Sequence, residues 1–188
     1  MIRSTDELGR IIAGDYGVRL QFHPHADSHV ETQAQTERFL EETDPAFVSL
    51  CLDTGHLAYR HADVPGIIRK YPDRIGYVHI KQMDPAIVER ADREDLAFGQ
   101  AVALGASCEP PQGLPDIPTL VQALNELDAE IFVVVEQDMY PCDFGTPEPI
   151  AARTAQYLRG QGIGPAGPVE SSVPVENSVP VETPGAGA

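Results

Sequence analysis

Four short apolar runs in the 188-residue chain each end in side chains that bind metal ions or move protons. VRLQF (18–22) runs into His23-Pro24-His25, and FVSLCL (47–52) into Asp53-Thr54-Gly55-His56. IGYVHI (75–80) carries His79, with Lys81 two residues further on, and IFVVV (131–135) is followed by Glu136-Gln137-Asp138. Imidazole plus carboxylate, with no thiolate in the set, suits a hard or borderline divalent ion such as zinc, manganese, cobalt or iron. Each residue also has an ordinary explanation. A lone His at a strand end is commonly a hydrogen-bonded loop residue, Asp-Thr-Gly is a common turn, and Glu-Gln-Asp is a common solvated surface. The joint pattern is what argues for a shared site, because all four runs carry ligand-type side chains at the same end. His29 and His61 sit in loops and helix starts and read as surface or capping residues.

The elements that position these residues follow from the same pattern. Each run has the length and β-branched composition of a buried strand. Between the runs lie helical signals. Ser4 and Glu7, then Thr32 and Gln35, have capping-box spacing, the second opening a helix to about Glu42. Val64, Ile67, Ile68 and Tyr71 recur at helical spacing, as do Ile117, Leu120, Val121, Leu124 and Leu127. Ile150, Thr154, Tyr157 and Leu158 form a last apolar face, with Gly160 as its stop. The order is one helix and then four strand–helix units, which predicts a parallel sheet covered by helices. Ligands of such sheets gather at the carboxyl ends of the strands. The interval from 80 to 131 is too long for one crossover, so an insert is expected over about 84–116, with a helical excursion at 86–104 and a Pro/Gly loop at CEPPQGLPD. Long loops of this kind usually cover a site.

Composition limits the function classes. Lys plus Arg is 13 and Asp plus Glu is 29, a net charge of −16. Such a surface repels nucleic-acid backbones and anionic membranes, so neither is an expected partner. Hydrophobic residues make up 42%, enough for a real core. No apolar run reaches the roughly 20 residues of a membrane helix. MIRSTDELGR lacks the h-region of a signal peptide, and a cytoplasmic location is expected. Cys51, Cys108 and Cys142 form neither a disulfide framework nor a metal knuckle, and Cys51 in its apolar run reads as core. Pro-Val-Glu recurs at 168–170, 174–176 and 180–182. Residues 161–188 are therefore expected to be a disordered tail, leaving 1–160 as the folded domain.

HPHADSHVET, LCLDTGH, YVHIKQ, the FGQAVALGASCEPPQGLPD insert and VVVEQD resemble the C-terminal half of the xylose-isomerase-like TIM-barrel superfamily of sugar phosphate isomerases/epimerases. The inosose dehydratase-like members are the nearest subgroup. The resemblance covers about residues 5–160 and implies the C-terminal half of a (β/α)8 barrel, four parallel βα units, with the first four strands missing. It implies a divalent metal (manganese, cobalt, zinc or magnesium) on His23, Asp53, His79 and Glu136. It also implies catalytic roles for Glu136, His56 and Lys81, and substrate contacts from His25, His56, Lys81 and Glu109. In the superfamily's epimerases a Glu stands where this chain has His23. Gln82 replaces the Asp usual in dehydratases, and Ala26-Asp27-Ser28 replaces a Gly-Thr pairing.

The implied chemistry is enolisation of a small polyhydroxylated keto substrate, leading to isomerisation, epimerisation or dehydration. Loss of one of the two epimerase carboxylates favours dehydration. Apurinic endonucleases share the fold, but the charge and the lack of a basic groove argue against that reading. A catalytically impaired half-barrel or pseudo-enzyme is the other alternative. An isolated half-barrel leaves two open sheet edges. The expected remedies are a homodimer or the missing N-terminal half-barrel.

Overall fold

The computed structural model describes residues 1–164. In chain order the elements are α1 (Ile2–Tyr16), β1 (Leu20–Phe22), α2 (Gln33–Glu42), β2 (Val48–Asp53), α3 (Thr54–Tyr59), α4 (Val64–Lys70) and β3 (Ile75–Ile80). There follow β4 (Gln82–Met83), α5 (Pro85–Glu94), α6 (Phe98–Ala103), β5 (Ser107–Cys108), α7 (Ile117–Asn125), β6 (Val133–Val135) and α8 (Pro147–Gly160). β1, β2, β3 and β6 form one parallel sheet in that order. These are the four strands expected from the sequence. None of the described helices is long and apolar enough to cross a membrane.

Alternation along the strands separates two faces. Leu50 and Leu52 of β2, Val78 and Ile80 of β3 and Val133 of β6 turn toward the helices. There they pack with Phe39 and Leu40 of α2, Ile67 and Ile68 of α4, Leu120 and Val121 of α7 and Leu158 of α8. Arg74 ties this layer together. Its buried guanidinium donates to Leu40 O, to Thr43 Oγ1 at 2.9 Å and to Val48 O at 3.1 Å, clamping the end of α2 to the start of β2. The other face of the sheet carries Cys51, Asp53, Tyr77, His79 and Val134. Tyr77 and Phe132 stack there with ring centroids 6.2 Å apart, and Phe132 is exposed.

Several local expectations change. The Ser4/Glu7 capping box does not form, because α1 starts upstream at Ile2 and both residues lie inside the helix. The Thr32/Gln35 box does form, in both directions. β1 begins two residues late, after Gly17 closes α1 in the left-handed region (φ 65°) and with Val18 exposed. β6 also begins two residues late, at the sheet's edge.

The helical excursion of the insert consists of two helices, α5 and α6. Asp95 adopts φ 51° and ends α5 before α6 begins. Its two ends are joined by the antiparallel β4–β5 pair, which carries no periodicity in the sequence. Met83, Val88, Ala91, Phe98, Ala101 and Ala106 build a second small core with Ala26 and Tyr59. Gln82 pins the Pro/Gly loop: its Nε2 donates to Gly113 O at 2.7 Å and Pro115 O at 2.5 Å, and its Oε1 accepts from Gly113 N at 3.2 Å. The expected tail lies outside the described residues except for 161–164. In that stretch Ile163 donates to Leu158 O at 2.9 Å and packs on the main core.

Candidate metal centre

Strand register sets the site. Asp53 pairs with His79 and His79 with Val134, while Phe22 pairs with Leu50, so His23 follows at the level of Cys51. Glu136 extends the last ladder by donating its N–H to Ile80 O at 3.0 Å. The functional side chains thus climb diagonally across the carboxyl end of the sheet. His23 Nε2 lies 3.4 Å from Asp53 Oδ2, and His79 Nδ1 lies 3.7 Å from that same oxygen and 3.3 Å from Glu136 Oε1. Two overlapping triads, His23–Asp53–His56 and Asp53–His79–Glu136, each bring their ligand atoms within 4.8 Å of one another. His79 Nδ1 is buried and has no hydrogen-bond partner, an orphan that a metal ion would satisfy.

Lys81 sits among these groups. Its side chain is 2% exposed, and its Nζ lies 3.4 Å from Asp53 Oδ2, 3.2 Å from Glu136 Oε2 and 3.0 Å from Asp138 Oδ2. Three carboxylates against one ammonium leave a formal surplus of two negative charges (3 − 1 = 2), matched to a divalent cation. Burial works to lower the Lys81 pKa, but Asp53, Asp138 and Glu136 hold it above its usual value, so it stays an ammonium. Gly55 makes room for it, since a Cβ there would overlap Lys81 Cβ, Cγ and Cδ.

Asp53 is fully buried. Burial would raise its pKa. The His23 contact, His56, Lys81 and the His56 N–H donated to Oδ1 at 2.8 Å together hold it well below the usual carboxylate range. That last bond also caps α3, which ties this carboxylate to the start of a helix. His56 is pushed down to about 3 by burial, with Asp53 opposing and Lys81 reinforcing, so it is a neutral imidazole. Its Nε2 lies 3.1 Å from Lys81 Nζ. An ammonium has only donors, so Nε2 accepts and the proton is on Nδ1. The His25 ring stacks on His56 at 3.7 Å, and Phe98 of the insert lies 4.9 Å away, which closes His56 from solvent.

The structure therefore brings His23, Asp53, His79, Glu136, His56 and Lys81 together, with His25 at the mouth. It pairs Glu109 elsewhere: both oxygens bind the Arg153 guanidinium of α8 at 2.8 Å. His29 and His61 are exposed, and His61 pairs with Asp92 at 2.6 Å. Two neighbours of the cluster were not singled out from the sequence. Asp138 binds Lys81, and its N–H donates to Ser107 Oγ of the insert at 3.0 Å. Cys51 is buried as expected, but on the ligand-bearing face. Its i, i+2 relation to Asp53 is the signal that places it there. Burial, then the negative charges of Asp53 and Glu136, push its thiol up to about 12.

A parallel sheet with a helical layer on one face and a histidine–carboxylate cluster at its strand ends defines an α/β protein of the barrel-mouth type. The chain belongs to the xylose isomerase-like TIM barrel family, whose model matches residues 1–161. It is 32% identical over 156 residues to an inosose dehydratase from Geobacillus thermodenitrificans, covering 82% of this chain and 52% of that protein. The chain thus spans about half the length of the curated relatives it matches. Among solved structures it resembles the probable 3-DHS dehydratase AsbF of Bacillus anthracis, with TM-score 0.64 and 14% identity over 84% of this chain and 55% of that one. It also resembles an IolI protein with a binding zinc atom, with TM-score 0.56 and 23% identity over 85% and 54%. At these identities the structural likenesses speak for the fold alone.

Proposed function

We propose that the chain supplies the metal-binding half of an eight-stranded barrel that enolises a keto-sugar or keto-cyclitol, and that the reaction is a dehydration like that named in its inosose dehydratase relatives. The observation that carries this reading is the convergence of His23, Asp53, His79 and Glu136 around an orphaned imidazole nitrogen and a surplus of negative charge. Those four residues would hold the ion. Manganese, cobalt, zinc and magnesium all suit them, and the bound ion would draw electron density from a ketone and a neighbouring hydroxyl oxygen.

The remaining steps fall to the chain's own residues. Glu136 faces His79 with Oε1 and Lys81 with Oε2, so one oxygen serves as ligand while the other takes the α-proton. Lys81, held as an ammonium, donates to the oxygen that gains charge and protonates the departing β-hydroxyl. His56 accepts from Lys81 and keeps it aimed. His25 is exposed beside it and would contact the substrate. Glu109 would contact it only after releasing Arg153. With His23 where the resembling epimerases have a Glu, one base carboxylate is available rather than two, which supports dehydration. The free edges of β1 and β6 would be completed by a second copy or by four further βα units of an N-terminal half-barrel.

The test is solvent exchange. The chain, paired with the N-terminal half of an inosose dehydratase and loaded with manganese, is incubated with 2-keto-myo-inositol in deuterium oxide. A product lighter by one water is expected, with deuterium at the carbon that lost its hydroxyl, where the enol left by elimination takes a proton from solvent, and both should vanish in Asp53→Asn. No such product, or a product with only hydrogen at that carbon, would overturn the proposal.

A further inference from the structure

The proposed reaction leaves one member of the cluster unused. Cys51 and Asp53 alternate on β2, so the Cys51 thiol points to the same face as the ligands, one step deeper in the sheet. The strand register puts His23 level with Cys51 on one flanking strand, and on the other it puts Tyr77 level with Cys51 and His79 one alternation further, level with Asp53. The ligand atoms of His23, Cys51 and His79 all lie within 4.8 Å of one another. Zinc bond lengths of about 2.0–2.3 Å set tetrahedral ligand atoms about 3.3–3.8 Å apart, so modest side-chain rotation closes this set on one ion. The His79 Nδ1 atom that would bind is buried and without a hydrogen-bond partner.

We propose that His23, Cys51 and His79 form a second, deeper metal position that takes thiophilic ions such as zinc, cadmium or cobalt. The proposal rests on the metal-centre reading above, since two of its three ligands are shared, and the two positions exclude each other. Carboxylate-preferring ions such as manganese and magnesium stay with Asp53 and Glu136. A soft ion exchanges those oxygens for sulfur and moves away from Glu136 and Lys81. The exchange is balanced: the Cys51 thiol and a divalent ion give a sulfur–metal bond and one proton, released to solvent, with no change of oxidation state. The centre would then choose its metal by depth, and thiophilic ions would compete with the ion that serves catalysis.

Cobalt(II) separates the two readings, because its visible bands report any low-symmetry site while a near-ultraviolet sulfur-to-cobalt band reports a thiolate ligand. The full chain is titrated in a Cys142→Ser background, which removes the exposed thiol. Both signals are expected, and adding Cys51→Ser should abolish the ultraviolet band while the visible bands remain. Visible bands alone in the parent, or an ultraviolet band that survives Cys51→Ser, would overturn the deeper position and leave the carboxylate site standing. No visible bands in either protein would overturn the metal centre itself. Should Cys51→Ser fail to fold, X-ray absorption of the zinc-loaded parent decides. A sulfur neighbour at about 2.3 Å supports the proposal, and a shell of nitrogen and oxygen alone overturns it.

Discussion

Replacing Lys81 by Met removes the ammonium inside a group of three carboxylates while keeping most of the side chain's volume. Lys81 is 2% exposed and Asp53 fully buried, but the Glu136 and Asp138 side chains are each about a third exposed. Breaking a buried ion pair from one side costs about 3–5 kcal/mol, and partial solvation of two partners sets the expected loss near the low end, about 3 kcal/mol. For a domain of this size that corresponds to a melting point lower by about 6–12 °C. The same change raises the formal surplus from two negative charges to three, so divalent-ion affinity should increase. An ion at about 100 times its dissociation constant stabilises the folded state by about 2.7 kcal/mol, enough to return most of the loss. Thermal melts of the parent and of Lys81→Met, each with EDTA and with manganese, measure both effects. A large metal-dependent recovery in the variant is expected. Equal destabilisation with and without manganese would refute the view that Lys81 and a divalent ion compensate the same carboxylates.

Other consequences are measurable. Gly55→Ala forces Lys81 aside and should cost about 1–3 kcal/mol by overpacking, seen as a lower urea midpoint together with altered manganese affinity. Stability should fall in acid. His56 binds a proton below about 6.5 when unfolded but only near 3 when folded, so the unfolded chain holds the extra proton between those values. The depressed Asp53 adds to the loss below the ordinary carboxylate range. Urea midpoints should drop between about pH 6.5 and pH 4, with a slope of at most about 1.4 kcal/mol per pH unit from His56, and His56→Asn should flatten that limb. The chain assayed alone should turn over keto-inositols poorly, because the walls that hold substrate and exclude water come from all eight loops of a barrel. Equal rates with and without a completing half would contradict this.

The two central strands were legible because each is a six-residue run dominated by apolar side chains, and β2 is buried throughout. The edge strands β1 and β6 were overdrawn by two residues, since an apolar run does not tell where pairing ends and Val18 and Phe132 remain exposed. The candidate cluster was legible from the place of its residues at the carboxyl end of each run, with His79 inside its own, and the His79/Lys81 alternation put those two on one face. The burial of Lys81 was not legible, because it depends on Gly55 leaving space and on Asp53, Glu136 and Asp138 arriving from two other strands. Asp138 was named with its strand end but given no role, for the same reason: its partner Ser107 lies 31 residues away in an insert held by two-residue strands. Glu109, expected to contact substrate from that insert, is paired in this structure with Arg153 on α8.

The most direct measurement of the central claim is the anomalous scattering of crystals of the chain grown with manganese, collected at the manganese absorption edge. The expected result is one anomalous peak bounded by His23, Asp53, His79 and Glu136, at about 2.0–2.3 Å from their ligand atoms, and its loss in His79→Ala crystals. A peak elsewhere, no peak at saturating manganese, or a peak that persists undisturbed in His79→Ala would contradict the assignment of these four residues as the metal centre.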